Sequence, residues 1–127
     1  AIPCLNRDGD LLSDLVLPMF GSIAGAESVL LALDDELRTR VVMAEAPHGT
    51  APALEGKDVA NPMAMILAAA AVLSYADGAE EASAAIYAAV EDALAAGIRT
   101  PDLGGQAGTT SFTDAVIERV RERRRGA

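Results

Sequence analysis

Glu45-Ala46-Pro47-His48-Gly49-Thr50-Ala51-Pro52, running on through Gly56-Lys57-Asp58 to Asn61-Pro62, is the stretch around which the rest of the chain is organised. It holds the only histidine of the sequence and lies between a short β-branched run, Val41-Val42-Met43, and a long apolar one, Met63 to Tyr75. Glycine and proline fix an irregular backbone path there. Histidine and asparagine add hydrogen-bonding edges that a merely connecting loop does not require.

Downstream of this loop the chain reads as helices. Pro62 suits a first helical turn with Asn61 as its cap, and the helix it opens is expected to reach Tyr75 or Ala76 as a buried core helix, Met65 included. Asp77-Gly78 is a turn. Ala79 to Ala96 forms the next helix, with Ile86, Val90 and Leu94 at four-residue spacing and Gly97 as the stop. Arg99 to Gly105 is loop again, and a last helix is expected from about Ser111 to Arg123. The arginines from Arg121 to Arg125 complement its C-terminal dipole and fray into solvent.

Upstream, Val41-Val42-Met43 is a strand entering the key loop, and Asp34-Asp35-Glu36 with Arg38 and Arg40 is a solvated turn. For Ser28 to Leu33 periodicity leaves strand and helix both open. Leu11, Leu12, Leu15, Val16 and Met19 mark an earlier helix that Pro18 kinks or restarts and Gly21 to Gly25 breaks; its apolar residues read as ordinary core. Asn6 to Asp14 reads as polar turn chemistry leading into that helix, and Ala1 to Leu5 as the end of a strand with something upstream removed.

The chain has 127 residues, 51% hydrophobic and only 3% aromatic, so a core of Leu, Ile, Val, Met and Ala around closely approaching helices is expected. A net charge of −9 argues against a nucleic-acid partner, because a phosphate backbone is repelled. Cys4 is the single cysteine, which permits no internal disulfide and fits a reducing cytoplasm. The apolar run from Met63 is shorter than the about 20 residues that cross a bilayer, so no membrane partner is expected.

Asp10 and Asp14 are four residues apart, so on a helix both carboxylates project from one face. Their mutual repulsion is resolved by a hard divalent cation, Mg²⁺ or Mn²⁺, that accepts oxygen ligands and keeps positions open for water or substrate. The plain alternative is that Asp8, Asp10 and Asp14 decorate a helix N-terminus, where the dipole favours negative charge.

Two motifs together resemble the β-decarboxylating dehydrogenases, the family of isocitrate, isopropylmalate and tartrate dehydrogenases. One is Asn6-x-x-Gly9-Asp10-x-x-Ser13-Asp14; the other is His48-Gly49-Thr50-Ala51-Pro52, then Gly56-Lys57, then Ala60-Asn61-Pro62 at fixed spacing. The resemblance spans nearly the whole chain, yet the chain answers to only about the final third of a family member. It implies an α/β protein of which residues 1–127 are the C-terminal lobe of the isocitrate/isopropylmalate dehydrogenase-like fold, mainly helices packed on a few short strands.

The resemblance also implies roles. Asp10 and Asp14 bind the metal that holds the substrate, while His48, Gly49, Thr50, Ala51 and Asn61 contact the dinucleotide. Glu45 is a further candidate near the nicotinamide ribose, and Asp102, in the Asp102-Leu103-Gly104-Gly105 motif, near the adenosine end. The histidine ring can lie against a flat ligand while Gly49 and Thr50 let backbone N–H groups approach ribose or phosphate. Asn61 carries both donor and acceptor, as an adenine edge demands. NADP-dependent members place cations or tyrosine where Ala53, Leu54, Pro101 and Gly105 stand here, so NAD is the expected cofactor, although the aspartate common in NAD enzymes is also missing at Ala53.

The implied chemistry is oxidation of a malate-type hydroxy acid by hydride transfer, followed by loss of the β-carboxylate, with the metal as Lewis acid. The general base and acid and the substrate-clamping arginines lie upstream in the family, so no catalytic residue is assigned here, and Lys57 belongs to the cofactor loop. The chain alone is expected to be inactive, and the whole enzyme a homodimer that draws a metal-binding aspartate from its partner. Thr50 and Gly56-Lys57-Asp58 look most like NAD-dependent isocitrate dehydrogenases, then isopropylmalate or tartrate enzymes. The alternative is a stand-alone nucleotide-binding or assembly module without catalysis. The enzyme reading is preferred because the Asp10 and Asp14 pair has no evident use without a substrate.

Overall fold

The computed structural model describes residues 2–20 and 25–126. Helix α1 (Asn6–Val16) runs into a 3-10 turn at Leu17–Phe20, and strands β1 (Ser28–Leu33) and β2 (Thr39–Glu45) follow. After the key loop, with a 3-10 turn at Pro52–Leu54, come α2 (Met63–Leu73), α3 (Glu80–Ala95), a 3-10 turn at Pro101–Leu103 and α4 (Thr109–Gly126).

The three later helices form the core, in which Met63, Leu67, Ala89, Val90, Ala93, Phe112 and Val116 pack together. Phe112 is the largest fully buried side chain. Alanines 64, 68, 70 and 71 are buried on α2, where small side chains allow close helix approach. The Ser83 hydroxyl donates to the Ala70 carbonyl over 2.8 Å, which satisfies a buried polar group across the α2–α3 contact.

Helix ends follow local chemistry. The Asn61 side chain accepts from the Met63 N–H at 2.9 Å, which caps α2 in the way the sequence suggests. At the end of α3, Gly97 has φ +81°. Ile98 N–H bonds to Ala93 O at 3.0 Å and Gly97 N–H to Leu94 O at 3.1 Å, a Schellman stop that only a residue at ease in the left-handed region makes cheaply.

Strands β1 and β2 form a two-stranded antiparallel sheet with Ser28 opposite Glu45 and a bulge beside Ala32 and Leu33. The open choice for Ser28–Leu33 is thus resolved as strand. Asp34 sets the turn, its Oδ1 accepting from the N–H of Glu36 and of Arg38 while its Oδ2 accepts from Arg38 Nε at 3.0 Å. Helix α2 packs against the sheet. Leu30, Leu31, Leu33, Val41 and Met43 stay exposed, so the sheet keeps apolar surface that this chain does not cover.

Several expectations are corrected. Asn6 to Gly9 is not a turn but the first part of α1. Helix α1 buries none of its residues, so Leu11 and Leu15, each 63% exposed, are not core of this chain. Met65 is exposed, and α2 stops at Leu73, before Tyr75. Helix α4 begins two residues early and continues through the arginines to Gly126 instead of fraying, with Arg123 paired to Asp92 of α3. The expected break over Gly21 to Gly25 falls largely outside the described residues. Among the described residues the architecture is helices with one small antiparallel sheet, in keeping with the expectation of mainly helices packed on a few short strands.

Candidate functional site

The loop between β2 and α2 is shaped by its own backbone first. His48 N–H bonds to Ala46 O at 2.8 Å, and the ring Nδ1 lies 3.0 Å from Gly49 O, with the ring exposed. Ala51 takes the left-handed conformation at φ +44° and starts the Pro52–Leu54 turn. Thr50 and Ala51 are exposed beside it, and Glu45, also exposed, is the last residue of β2. A Cβ on Gly49 would meet nothing within 4 Å, so the packing of this chain does not itself demand glycine there.

Asn61 and Asp102 are brought together. Asn61 Nδ2 donates to Asp102 Oδ2 at 2.9 Å, while the buried Thr100 donates its hydroxyl to Asp102 Oδ1. Asn61 therefore spends its acceptor on the α2 cap and a donor on Asp102. Its side chain is committed to structure more than an edge held open for a base would be. The Thr100-to-Ala107 connection is tight: Gly105 N–H bonds to Thr100 O, and a Cβ on Gly105 would fall 2.0 Å from Arg99 O, so no larger residue fits.

Asp58 is a residue that sequence reasoning left inside a motif without a role. Its Oδ1 accepts from both the N–H and the hydroxyl of Thr110 at 2.8 Å, and its carbonyl accepts from Thr109 N–H at 3.1 Å. No local spacing links positions 58 and 110, so only the fold discloses the pairing.

Beside Asp102 opens a cavity of about 780 Å³, lined among others by Glu27, Met63, Tyr87, Arg99 and Asp102. Tyr87 donates its hydroxyl to Glu27 in a short bond of 2.5 Å. Burial first, then that bond and the Glu27 charge, with a smaller contribution from Tyr75, push the Tyr87 pKa up to about 12.

Asp10 and Asp14 lie one turn apart on α1, both exposed. Ser13 turns its hydroxyl back onto the carbonyls of Gly9 and Asp10 and so leaves the carboxylates unengaged by it. Among the described residues no group of three or more His, Cys, Asp or Glu side chains could hold a metal ion.

A family model, isocitrate/isopropylmalate dehydrogenase, matches residues 1–120. The chain belongs to this family. An isocitrate/homoisocitrate dehydrogenase of Thermus thermophilus is 42% identical over 116 residues, covering 91% of this chain and 33% of the relative. A 3-isopropylmalate dehydrogenase of Novosphingobium aromaticivorans is 44% identical over 115 residues, again covering 91% of this chain and 33% of the relative. The fold is similar to the crystal structure of a β-decarboxylating dehydrogenase from Thermococcus kodakarensis in its apo form, with a TM-score of 0.75 and 33% identity over 92% of this chain and 32% of that one. The chain thus spans about a third of the length of the family members it matches, and it is nearly as similar to one acting on isocitrate as to one acting on isopropylmalate. No helix among the described residues is long and apolar enough to cross a membrane.

Proposed function

We propose that the chain is the C-terminal part of an NAD-dependent β-decarboxylating dehydrogenase that oxidises a malate-type hydroxy acid, isocitrate in preference to isopropylmalate or tartrate. The observation that carries this reading is the 2.9 Å bond between Asn61 and Asp102, which joins two loops that the family resemblance, through two different motifs, implies as the cofactor's walls. The residues fit a dinucleotide: Gly49 keeps clear space that its own chain does not use, and His48 exposes a flat ring beside it. They also fit two ligands of a hard cation, since Asp10 and Asp14 offer only oxygen from one helix face.

His48, Gly49, Thr50 and Ala51 line the ribose and phosphate side, Asp102 the adenosine side, and Glu45 the nicotinamide ribose. Asn61 holds the loop against Asp102 and presents its remaining amide hydrogen and its backbone to the adenine. No cation stands at Ala53, Leu54, Pro101 or Gly105 to receive a 2′-phosphate, which favours NAD. Asp10 and Asp14 would hold Mg²⁺ or Mn²⁺, whose Lewis acidity polarises the substrate's hydroxyl oxygen. Proton transfer and carboxylate clamping fall to residues beyond this chain, in the rest of the same protein and in a homodimeric partner.

The test is the full-length protein assayed with isocitrate, homoisocitrate, isopropylmalate and tartrate, each with NAD or NADP and with Mg²⁺ or Mn²⁺. Metal-dependent reduction of NAD by isocitrate above the others is expected. Bound NAD without turnover of any hydroxy acid would contradict the proposal.

A further inference from the structure

We propose that Asp58 is a positioning residue for the dinucleotide loop, acting as a long-range helix cap that fixes the loop's far end against α4. The inference rests on the reading of that loop as the cofactor's wall. Asp58 is a non-glycine residue at φ +52°, a conformation uncommon outside glycine, asparagine and aspartate. That turn aims its carboxylate at the start of α4, whose first N–H groups have no partner within the helix. Oδ1 takes the Thr110 N–H and hydroxyl, the Asp58 carbonyl takes the Thr109 N–H, and Thr109 returns its own hydroxyl to the Ala60 carbonyl.

The receiving side is built to match. A Cβ on Gly108 would lie 2.3 Å from Asp58 Oδ2 and 2.8 Å from Asp58 O, so the carboxylate seats only because residue 108 has no side chain. Gly108 does not adopt a left-handed φ; space, not backbone freedom, is what glycine supplies. The negative charge also meets the positive end of the α4 dipole. Three residues further on, Asn61 is tied to Asp102. Residues 58–61 are therefore pinned at one end to the start of α4 and at the other to the connection before it, and the rest of the loop, from His48 to Gly56, hangs from β2 on one side and this clamp on the other. Without the clamp the His48 face and the Asp102 face are no longer held in register.

The experiment uses the full-length protein carrying Asp58→Gly, Asp58→Asn or Gly108→Ala, with the NAD dissociation constant and the exchange of individual amide hydrogens as readouts. Asp58→Gly keeps the backbone turn and deletes the acceptor; NAD binding should weaken on the order of tenfold, the scale of a lost helix cap, with faster exchange at Thr109 and Thr110. Asp58→Asn retains an oxygen acceptor and tolerates the turn, so its NAD binding should stay within about threefold of the parent. Gly108→Ala, with Asp58 intact, should reproduce the Asp58→Gly defect. Unchanged exchange at Val90 and Ala93, core residues of α3 away from the clamp, reports that the body is still folded, and Asp58→Asn against parent keeps the comparison available where another variant does not fold.

A parent that binds NAD together with an Asp58→Gly variant that binds it equally well overturns the clamp and leaves the cofactor reading standing. A parent that does not bind NAD overturns the cofactor reading. The clamp is then decided by the amides from His48 to Ala51: faster exchange in Asp58→Gly and Gly108→Ala supports it, and no change overturns it.

Discussion

Asn61 and Asp102 are 41 positions apart and share a 2.9 Å hydrogen bond, with the same asparagine capping α2 through its other side-chain atom. Asn61→Ala removes both interactions and should destabilise the protein by about 1–2 kcal/mol, a cap plus a net hydrogen bond. Asp102→Ala removes the shared bond and leaves the buried Thr100 hydroxyl without this acceptor, with a loss of about 1–3 kcal/mol. Urea unfolding of both single variants and the double variant checks this. The double variant should lose less than the sum, because one bond is counted in both singles.

Phe112→Ala empties the centre of the three-helix core and should cost about 3–5 kcal/mol. The midpoint of chemical unfolding measures it. A loss below about 1 kcal/mol would mean that α4 does not pack on α2 and α3 as described.

Tyr87 should titrate near its raised pKa of about 12, not its ordinary 10.0. The sign follows from linkage: folding favours the neutral phenol, so this contribution is complete below the unfolded value of 10.0 and is lost as pH rises through about 12. The difference in tyrosinate absorbance between parent and Tyr87→Phe reads the midpoint. A midpoint at the ordinary value would show that the phenol is neither buried nor bonded to Glu27 as described.

Asp10→Asn and Asp14→Asn should separate function from stability. Each is expected to raise the Mg²⁺ concentration needed for half-maximal turnover by about tenfold or more, a scale at which even supporting groups of metal sites act. Each should also stabilise the metal-free protein by a few tenths of a kcal/mol, roughly, by relieving like-charge repulsion across one helical turn. Titration with Mg²⁺ and thermal unfolding in chelator measure the two effects. Unchanged metal dependence in both variants would place the metal elsewhere.

The features legible in the sequence are those with local causes. Gly97 ends α3 because a left-handed residue is needed just there, and Asn61 caps α2 because its side chain reaches an N–H two residues on. The strand at Ser28–Leu33 was beyond local reading: its character is decided by pairing with Thr39–Glu45, and an unbroken apolar run carries no period. Asn6 to Gly9 misleads because Asn, Asp and Gly are poor helix formers, yet Gly9 N–H bonds Leu5 O at 2.8 Å and the helix forms through them.

The site divides in the same way. The histidine-to-asparagine loop announces itself by composition, whereas the pairing of Asp58 with Thr110 joins positions 52 apart and leaves no trace in local spacing. For α1 a core face and an interface face have the same apolar pattern in sequence. Its exposed Leu11 and Leu15 show only that the core of this chain does not use them.

The measurement closest to the centre of this account is amide hydrogen exchange of the full-length protein with and without NAD. Protection should concentrate in residues 45–61 and around Asp102, with little change along α1, and NADP should give weaker protection of the same amides. Protection confined to other segments, or none in the loop from His48 to Asn61 at saturating NAD, would contradict it.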